Sequence, residues 1–378
     1  MESSFAASHF QILHTFQGKQ QYGQFPGNLI IDSAGNLYGV SPYNGLNACT
    51  DGCGTIFELS PGISGWKYKD LYNFKGPKHS DGAQPSGIVM DAQGNLYGTT
   101  AAGGAYDQGT VFELSPDSSG IWTETLIYNL IGQPEAAPVF GPAGTLYGTT
   151  VSGGGNGTAF QLTRNSDGNW SENVIWTFGG SYGRSPTVVT LDQAGNLYMG
   201  VGFSAELSPV EGSWKETILN TCGDNQISSV IFDGTSLYGG DYEGGKFGYG
   251  AIDEISPAGN GTWNCTDIWD FNPAKGDGAF ISAPLTAAPN GDLYGATIAG
   301  GNGFSEQDCL EFNPCGYGTV FRMSRNSAGV WAETAQYRFT TGVDFGGPTT
   351  ALVLDSTGKI YGTAVKNATE AFIFEITP

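Results

Sequence analysis

Short apolar runs alternate along the whole chain with turns rich in Gly, Asp, Asn and Pro. In the best-formed stretch, "SGIVMD" (Ser86–Asp91) reads as a strand, "AQG" as a turn and "NLYGTT" as a second strand. A Gly-rich loop, "AAGGAYDQ" (Ala101–Gln108), leads to a third strand, "GTVFELSP" (Gly109–Pro116). After "DSSG", the segment "IWTETLIYNL" (Ile121–Leu130) gives a fourth. Four such strands in succession predict an antiparallel meander. The phrase "LYG" and its variants recur with tyrosines at 38, 97, 147, 198, 238, 294 and 361, separated by 59, 50, 51, 40, 56 and 67 residues. Recurrence at this spacing marks a repeat architecture, in which each unit buries its faces only by stacking on its neighbours. Repeated four-stranded units predict the blades of an all-β propeller.

The "D-x-x-G-N" segments that precede these strands, such as Asp32–Asn36 and Asp91–Asn95, fit hairpin turns. Gly supplies the positive-φ position and Asp bonds the turn backbone. Leu and Tyr then alternate across one strand, and in a propeller both faces are covered, so both positions carry large side chains. The periodic tyrosines are therefore read as core rather than as a ligand-stacking ladder. Six units place a Trp at the opening of the fourth strand: Trp66, Trp122, Trp170, Trp214, Trp263 and Trp331. The seventh unit ends at "FIFEITP" without a fourth strand, while "FQILHTFQG" (Phe10–Gly18) parallels "ENVIWTFGG" (Glu172–Gly180), with His14 at the place of Trp176. The expectation is one seven-bladed domain over residues 1–378, its last blade (about 347–378) completed by an N-terminal strand at about 9–18, which removes exposed edges.

Composition adds constraints. The net charge of −21 argues against a nucleic-acid backbone as partner and against anionic membranes. No apolar run approaches the roughly 20 residues of a membrane span, so no membrane insertion is expected. The segment "MESSFAASHF" has neither the basic nor the apolar region of an export signal. Of six cysteines, Cys49/Cys53 and Cys309/Cys315 fall in equivalent loops of two units and read as local disulfides, with Cys222–Cys265 as a third pair. That pairing implies an oxidising compartment, periplasmic, cell-surface or extracellular; the alternative is six free thiols in a cytosolic protein. Five N-x-S/T sequons, at Asn156, Asn169, Asn260, Asn264 and Asn367, matter only where a host glycosylates them.

The segment "DGAQPSGIVMDAQGNLYGTTAAGGAYDQGTVFELSP" (Asp81–Pro116) resembles the GloVer tandem repeat almost throughout. The resemblance extends over nearly the full chain, strongest in the second unit and weakest in the fourth, fifth and seventh. It implies an exported or surface-attached bacterial protein and supplies no catalytic residues. The "D-x-x-G-N-L-Y" turns also look like those of NHL-type and streptogramin-lyase-type propellers.

Candidate chemistry lies in loops on the face shared by the strand two–three loops and the interblade links. The loops Ser41–Gly54 and Ile298–Gly318 are long and cysteine-bearing, and the seventh unit between them has only Ala364–Ala371, which predicts a notch. Tyr22, Tyr43, Asn44, Asp51, Phe304, Glu306, Asp308 and Phe345 are the expected ligand-binding side chains, since aromatics with carboxylates and amides hold sugar rings. His79, Glu135, Arg184, Asp224, Asp277 and Asp344 are candidates for acid–base work. The chain carries no G-x-S-x-G elbow, H-E-x-x-H, phosphate loop or EF-hand pattern. With three histidines (His9, His14, His79), no metal site or cofactor is expected; calcium on loop oxygens has no motif behind it. The expected protein is a monomeric binding propeller for a glycan or other small extracellular ligand. The alternatives are a glycoside hydrolase or polysaccharide lyase, and a structural surface repeat.

Overall fold

The computed structural model describes residues 8–17, 26–43, 45, 49, 52–179, 189–200, 204–219, 222, 227–259, 261–281, 283–307, 315–340, 347–367 and 370–378. Seven antiparallel sheets form a ring, a seven-bladed β-propeller. Blades 1 to 6 follow chain order. Blade 7 joins Val353–Leu354, Ile360–Asn367 and Glu370–Thr377 to the N-terminal strand His9–Gln17. That strand pairs from His9 opposite Thr377 to Gln17 opposite Glu370, so the ring closes by hydrogen bonds between the two ends of the chain, as the sequence pattern predicts. Blade 6 has its first strand in two pieces, Gly278–Ile281 and Thr286–Ala287, both paired with Leu293–Gly300.

The turns work as the sequence suggests. Asp32 Oδ1 accepts the N–H groups of Ala34 and Asn36, each at 2.9 Å, and Gly35 takes φ 85°. Asp32 Oδ2 also accepts the Tyr38 hydroxyl at 3.1 Å, so the turn is tied to the strand it launches. In blade 2 the second strand runs further than expected, Leu96–Gly103, because the first begins at Gly82 and pairs with Gly103; the Gly-rich loop starts only beyond it.

Two aromatic contacts recur at the blade interfaces. The strand-two Tyr of one blade meets the strand-four Trp of the next: Tyr38–Trp122, Tyr147–Trp214, Tyr198–Trp263, Tyr238–Trp331 and Tyr361–Trp66, with centroids 5.8–6.3 Å apart. The aromatic ending strand four meets the strand-three Phe of the next blade: Phe16–Phe57, Phe74–Phe112, Phe271–Phe321 and Phe339–Phe374, at 5.2–5.7 Å. Such pairs contribute about 0.5–1.5 kcal/mol each beyond the area they bury. The Gly of "LYG" makes room for this Phe: a Cβ on Gly39 would stand 2.5 Å from the ring edge of Phe57. Blade 4 reverses the sizes, with buried Met199 at the Gly position and buried Ala205 at the Phe position. Blade 5 keeps Gly239 but places Asp253, 1% exposed, where Phe stands in five of the blades. The Asp253 carboxyl lies beside the Cys222–Cys265 disulfide, within 4.8 Å of both sulfurs, and its Oδ1 has no partner. Burial, then the charges of Asp267 and Asp241, push its pKa up to about 8.

Candidate functional site

In blade 1, Ser41 pairs with Thr55 and Thr55 with Asn73, so the strand two–three loop and the link to the next blade leave from one edge. On that edge, at the junction of blades 5 and 6, the loop between Asp241 and Gly250 presents three rings. The loop is held at its base by Asp241 Oδ1, which accepts the Gly244 N–H at 2.9 Å, and by Asp270 Oδ1, which accepts the Lys246 N–H at 2.6 Å. Its inner side carries Tyr242, stacked on Phe280 at 5.2 Å. Tyr249 sets its edge against Phe280 at 6.0 Å and against Phe304 at 5.7 Å. Phe280 has φ 59°, a left-handed conformation costly for a bulky side chain, and its N–H donates to the Tyr249 carbonyl at 2.8 Å. Gln84 takes the same conformation at the equivalent place in blade 2 and donates to the Cys53 carbonyl. The bend thus belongs to the repeat, and blade 6 puts an aromatic on it.

The outer side of the same loop carries Phe247, 43% exposed, at the mouth of a cleft of ≈ 370 Å³. Trp269, Lys275 and Asp277 line it from blade 5 and the link to blade 6; Glu333 and Arg338, from the outermost strand Trp331–Arg338, close it. Asp277 is built in by three donors: the Trp269 Nε1–H and Asn272 N–H reach Oδ2 at 3.1 Å each, and the Gly278 N–H reaches Oδ1 at 2.9 Å. Burial still raises its pKa, against these bonds and the Arg338 charge. Glu333 rises to about 7, first by burial and then by the Asp277 charge, with Arg338 pulling it back. Arg338 donates through Nε to the Gly276 carbonyl at 2.9 Å. Past Glu333 and Arg338 lies a second groove of ≈ 890 Å³, lined also by Arg322, Gln336 and Tyr337.

A sister arrangement stands between blades 1 and 2. Asp81 accepts the Tyr72 hydroxyl at 2.9 Å and the Lys75 and Gly82 N–H groups, and Glu124 across from it is also raised to about 7, by burial and then by Asp81. The acid pair is therefore a device of the repeat. At the junction of blades 1 and 2, Tyr72 stands where Trp269 does and Asn129 where Arg338 does.

Of the residues singled out in the sequence, Asp277, Phe304 and Glu306 fall at this junction. Phe304 is packed on Tyr249, and the Glu306 charge, after burial, helps raise the Tyr249 pKa. Tyr43 is half-buried in blade 1; His79, ending the turn Pro77–His79, and Glu135 are exposed elsewhere on the ring. Tyr22, Asn44, Asp51, Arg184, Asp224, Asp308, Asp344 and Phe345 lie outside the described residues. Cys49–Cys53 and Cys222–Cys265 are disulfides, with Cα atoms 5.1 and 5.2 Å apart. Cys315 is disulfide-bonded, and its expected partner Cys309 lies outside the described residues. His14 is a strand residue stacked on Tyr68 at 4.2 Å, its pKa lowered by burial. Sequence reasoning missed Tyr242, Phe247, Trp269, Glu333 and Arg338. The available signal was the loop "DYEGGKFGYG", richer in aromatics than its counterparts. Among the described residues, the grouping with metal-ligand spacing is Cys222, Asp253 and Cys265, whose sulfurs are joined to each other and so offer no thiolate.

Fold and repeat together define a closed, disulfide-bearing, seven-bladed repeat propeller. Residues 1–208 match the Gloeobacter/Verrucomicrobia repeat, and the chain belongs to that family. It is similar to virginiamycin B lyase from Staphylococcus aureus, with 15% identity and TM-score 0.60, over 98% of this chain and 100% of that one. It is also similar to the extracellular domain of a hybrid two-component system from B. thetaiotaomicron, with 10% identity and TM-score 0.57, over 95% of this chain and 39% of that one. At these identities the likeness shows the fold alone. No curated protein sequence matches the chain. Among the described residues, no helix is long and apolar enough to cross a membrane.

Proposed function

We propose that the protein is an exported binding propeller that holds a glycan at the junction of blades 5 and 6. The observation that carries this reading is a braced loop with Phe247, 43% exposed, at the mouth of a cleft with polar side chains, and a second exposed ring, Tyr242 at 37%, on its other side. Exposed aromatic faces next to carboxyl, amide and guanidinium groups match a sugar, with its apolar ring face and hydroxyl rim. Disulfides fit an oxidising compartment, where glycans are met. The test is a glycan array on the intact protein, followed by calorimetry of any ligand found with Tyr242→Ala and Phe247→Ala. Loss of about tenfold or more in affinity in either variant supports the site; unchanged binding in both rejects it.

Cleavage is the second reading, favoured by Glu333. A carboxyl held protonated up to about pH 7 beside Asp277, which accepts three hydrogen bonds, has the division of labour of a general acid and its partner. The like pair at Glu124 and Asp81 ranks this reading second, because a pair present at two junctions has a structural use. Release of reducing ends from array-positive polysaccharides, abolished by Glu333→Gln, decides for cleavage; binding without release decides against it.

A further inference from the structure

Arg338 sits where the two grooves meet and lines both. Its Nε is committed to the Gly276 carbonyl, and its two terminal amino groups make no bond or ion pair among the described residues. Glu333 beside it also makes no hydrogen bond among the described residues and is held protonated up to about pH 7 by burial and by Asp277. Lys275 lines the same cleft, and Arg322, whose Nη2 meets Asp292 at 2.6 Å, lines the second groove. Three of the chain's 15 Lys and Arg residues thus line these two adjoining grooves of a protein with net charge −21. A free guanidinium edge presents two parallel donors, which match a carboxylate, and a protonated carboxyl adds a donor where an ionised one would repel.

Resting on the glycan reading above, we infer that the bound sugar carries a carboxylate: a uronic acid whose carboxylate is gripped by Arg338, with Glu333 donating to it or to the neighbouring hydroxyl and the Phe247 and Trp269 rings against the sugar face. The overall acidity of the protein favours a short or sparsely charged uronate over a polyanion, because long-range repulsion grows with ligand charge.

The experiment is calorimetry of the intact protein with a galacturonic acid trimer, the matching neutral galactose trimer and a sulfated galactose trimer. The uronate is expected to bind about tenfold tighter than the neutral trimer, the equivalent of one charge-assisted hydrogen bond. Arg338→Gln is expected to bring that ratio to about one by lowering uronate affinity more than neutral-trimer affinity, with circular dichroism and an unchanged unfolding midpoint showing that the variant is folded. Equal affinity for uronate and neutral trimers in the unaltered protein, or a preference that survives Arg338→Gln, overturns the inference and leaves the glycan reading standing. A sulfated trimer bound as tightly as the uronate overturns the carboxylate assignment. Binding of none of the three overturns the inference, and a blank on the array as well removes the broader reading with it.

Discussion

The interface between blades 5 and 6 and that between blades 4 and 5 answer the same packing problem differently. Both keep the outer contact of Tyr and Trp, Tyr238–Trp331 at 5.8 Å and Tyr198–Trp263 at 5.9 Å. Further in, the first has Phe271 against Phe321 at 5.3 Å. The second has Leu219 and a buried Asp253, with the Cys222–Cys265 disulfide alongside. The difference shows that the ring does not need every aromatic pair: here Leu219 and a disulfide stand where one is missing, as Leu130 against Phe160 and Phe178 against Met199 and Ala205 do elsewhere. Burying a carboxyl with an unpartnered oxygen is unfavourable. The crosslink, spanning 43 residues, restricts the unfolded chain and offsets that cost.

The comparison can be broken from either side. Phe321→Ala empties the aromatic seat of the 5–6 interface and is expected to lower stability by about 3–5 kcal/mol in chemical denaturation. A loss below about 1 kcal/mol there would mean that the aromatic pair does not hold the blades. Next, replacing both Cys222 and Cys265 by Ser is expected to lower stability by about 2–4 kcal/mol, and by more than the same change at Cys49 and Cys53, whose loop closes only 4 residues. Equal losses at the two disulfides would remove the special role given to the 4–5 interface.

Asp253 sharpens the comparison through pH. Its pKa is raised from 3.8 to about 8 in the folded state, so between these values the folded protein binds the extra proton. The stability it contributes is full below about pH 4 and is lost as pH rises towards 8, by at most about 1.4 kcal/mol per pH unit. Asp253→Asn is expected to flatten that part of the stability–pH curve measured by denaturant titration; an unchanged slope would assign it to other groups. The smallest effect belongs to blade 4. Met199→Gly alone leaves a cavity, whereas Met199→Gly with Ala205→Phe restores the arrangement of the other blades and is expected to lie within about 1.5 kcal/mol of the parent. Simple additivity of the two changes would show that these positions are not packing partners.

Much of this was legible in the sequence, because the repeat writes each packing contact several times. The spacing of "LYG", the Trp that opens strand four and the likeness of Phe10–Gly18 to Glu172–Gly180 carry the blade number and the ring closure. Asp253 was legible too, as the acid in a column that holds Phe57, Phe112, Phe160, Phe321 and Phe374, with Ala205 in blade 4. Its consequence was not, since the neighbouring disulfide joins residues from different elements. Glu333 was hidden for a related reason. It sits in the "W-x-E" of an ordinary outer strand, and its pKa depends on Asp277 and Arg338, brought to it across an interface and along the strand. Phe247 and Tyr242 sit in a loop whose inner and outer sides are set by hydrogen bonds to Asp241 and Asp270, which periodicity does not encode.

The pairing of His9 with Thr377 has a mechanical consequence. A pull on the two ends of the described chain loads this antiparallel ladder one rung at a time, as a zip is opened, instead of stretching all its bonds together. Tension therefore opens blade 7 first, and the other six blades stay folded until that seam has parted.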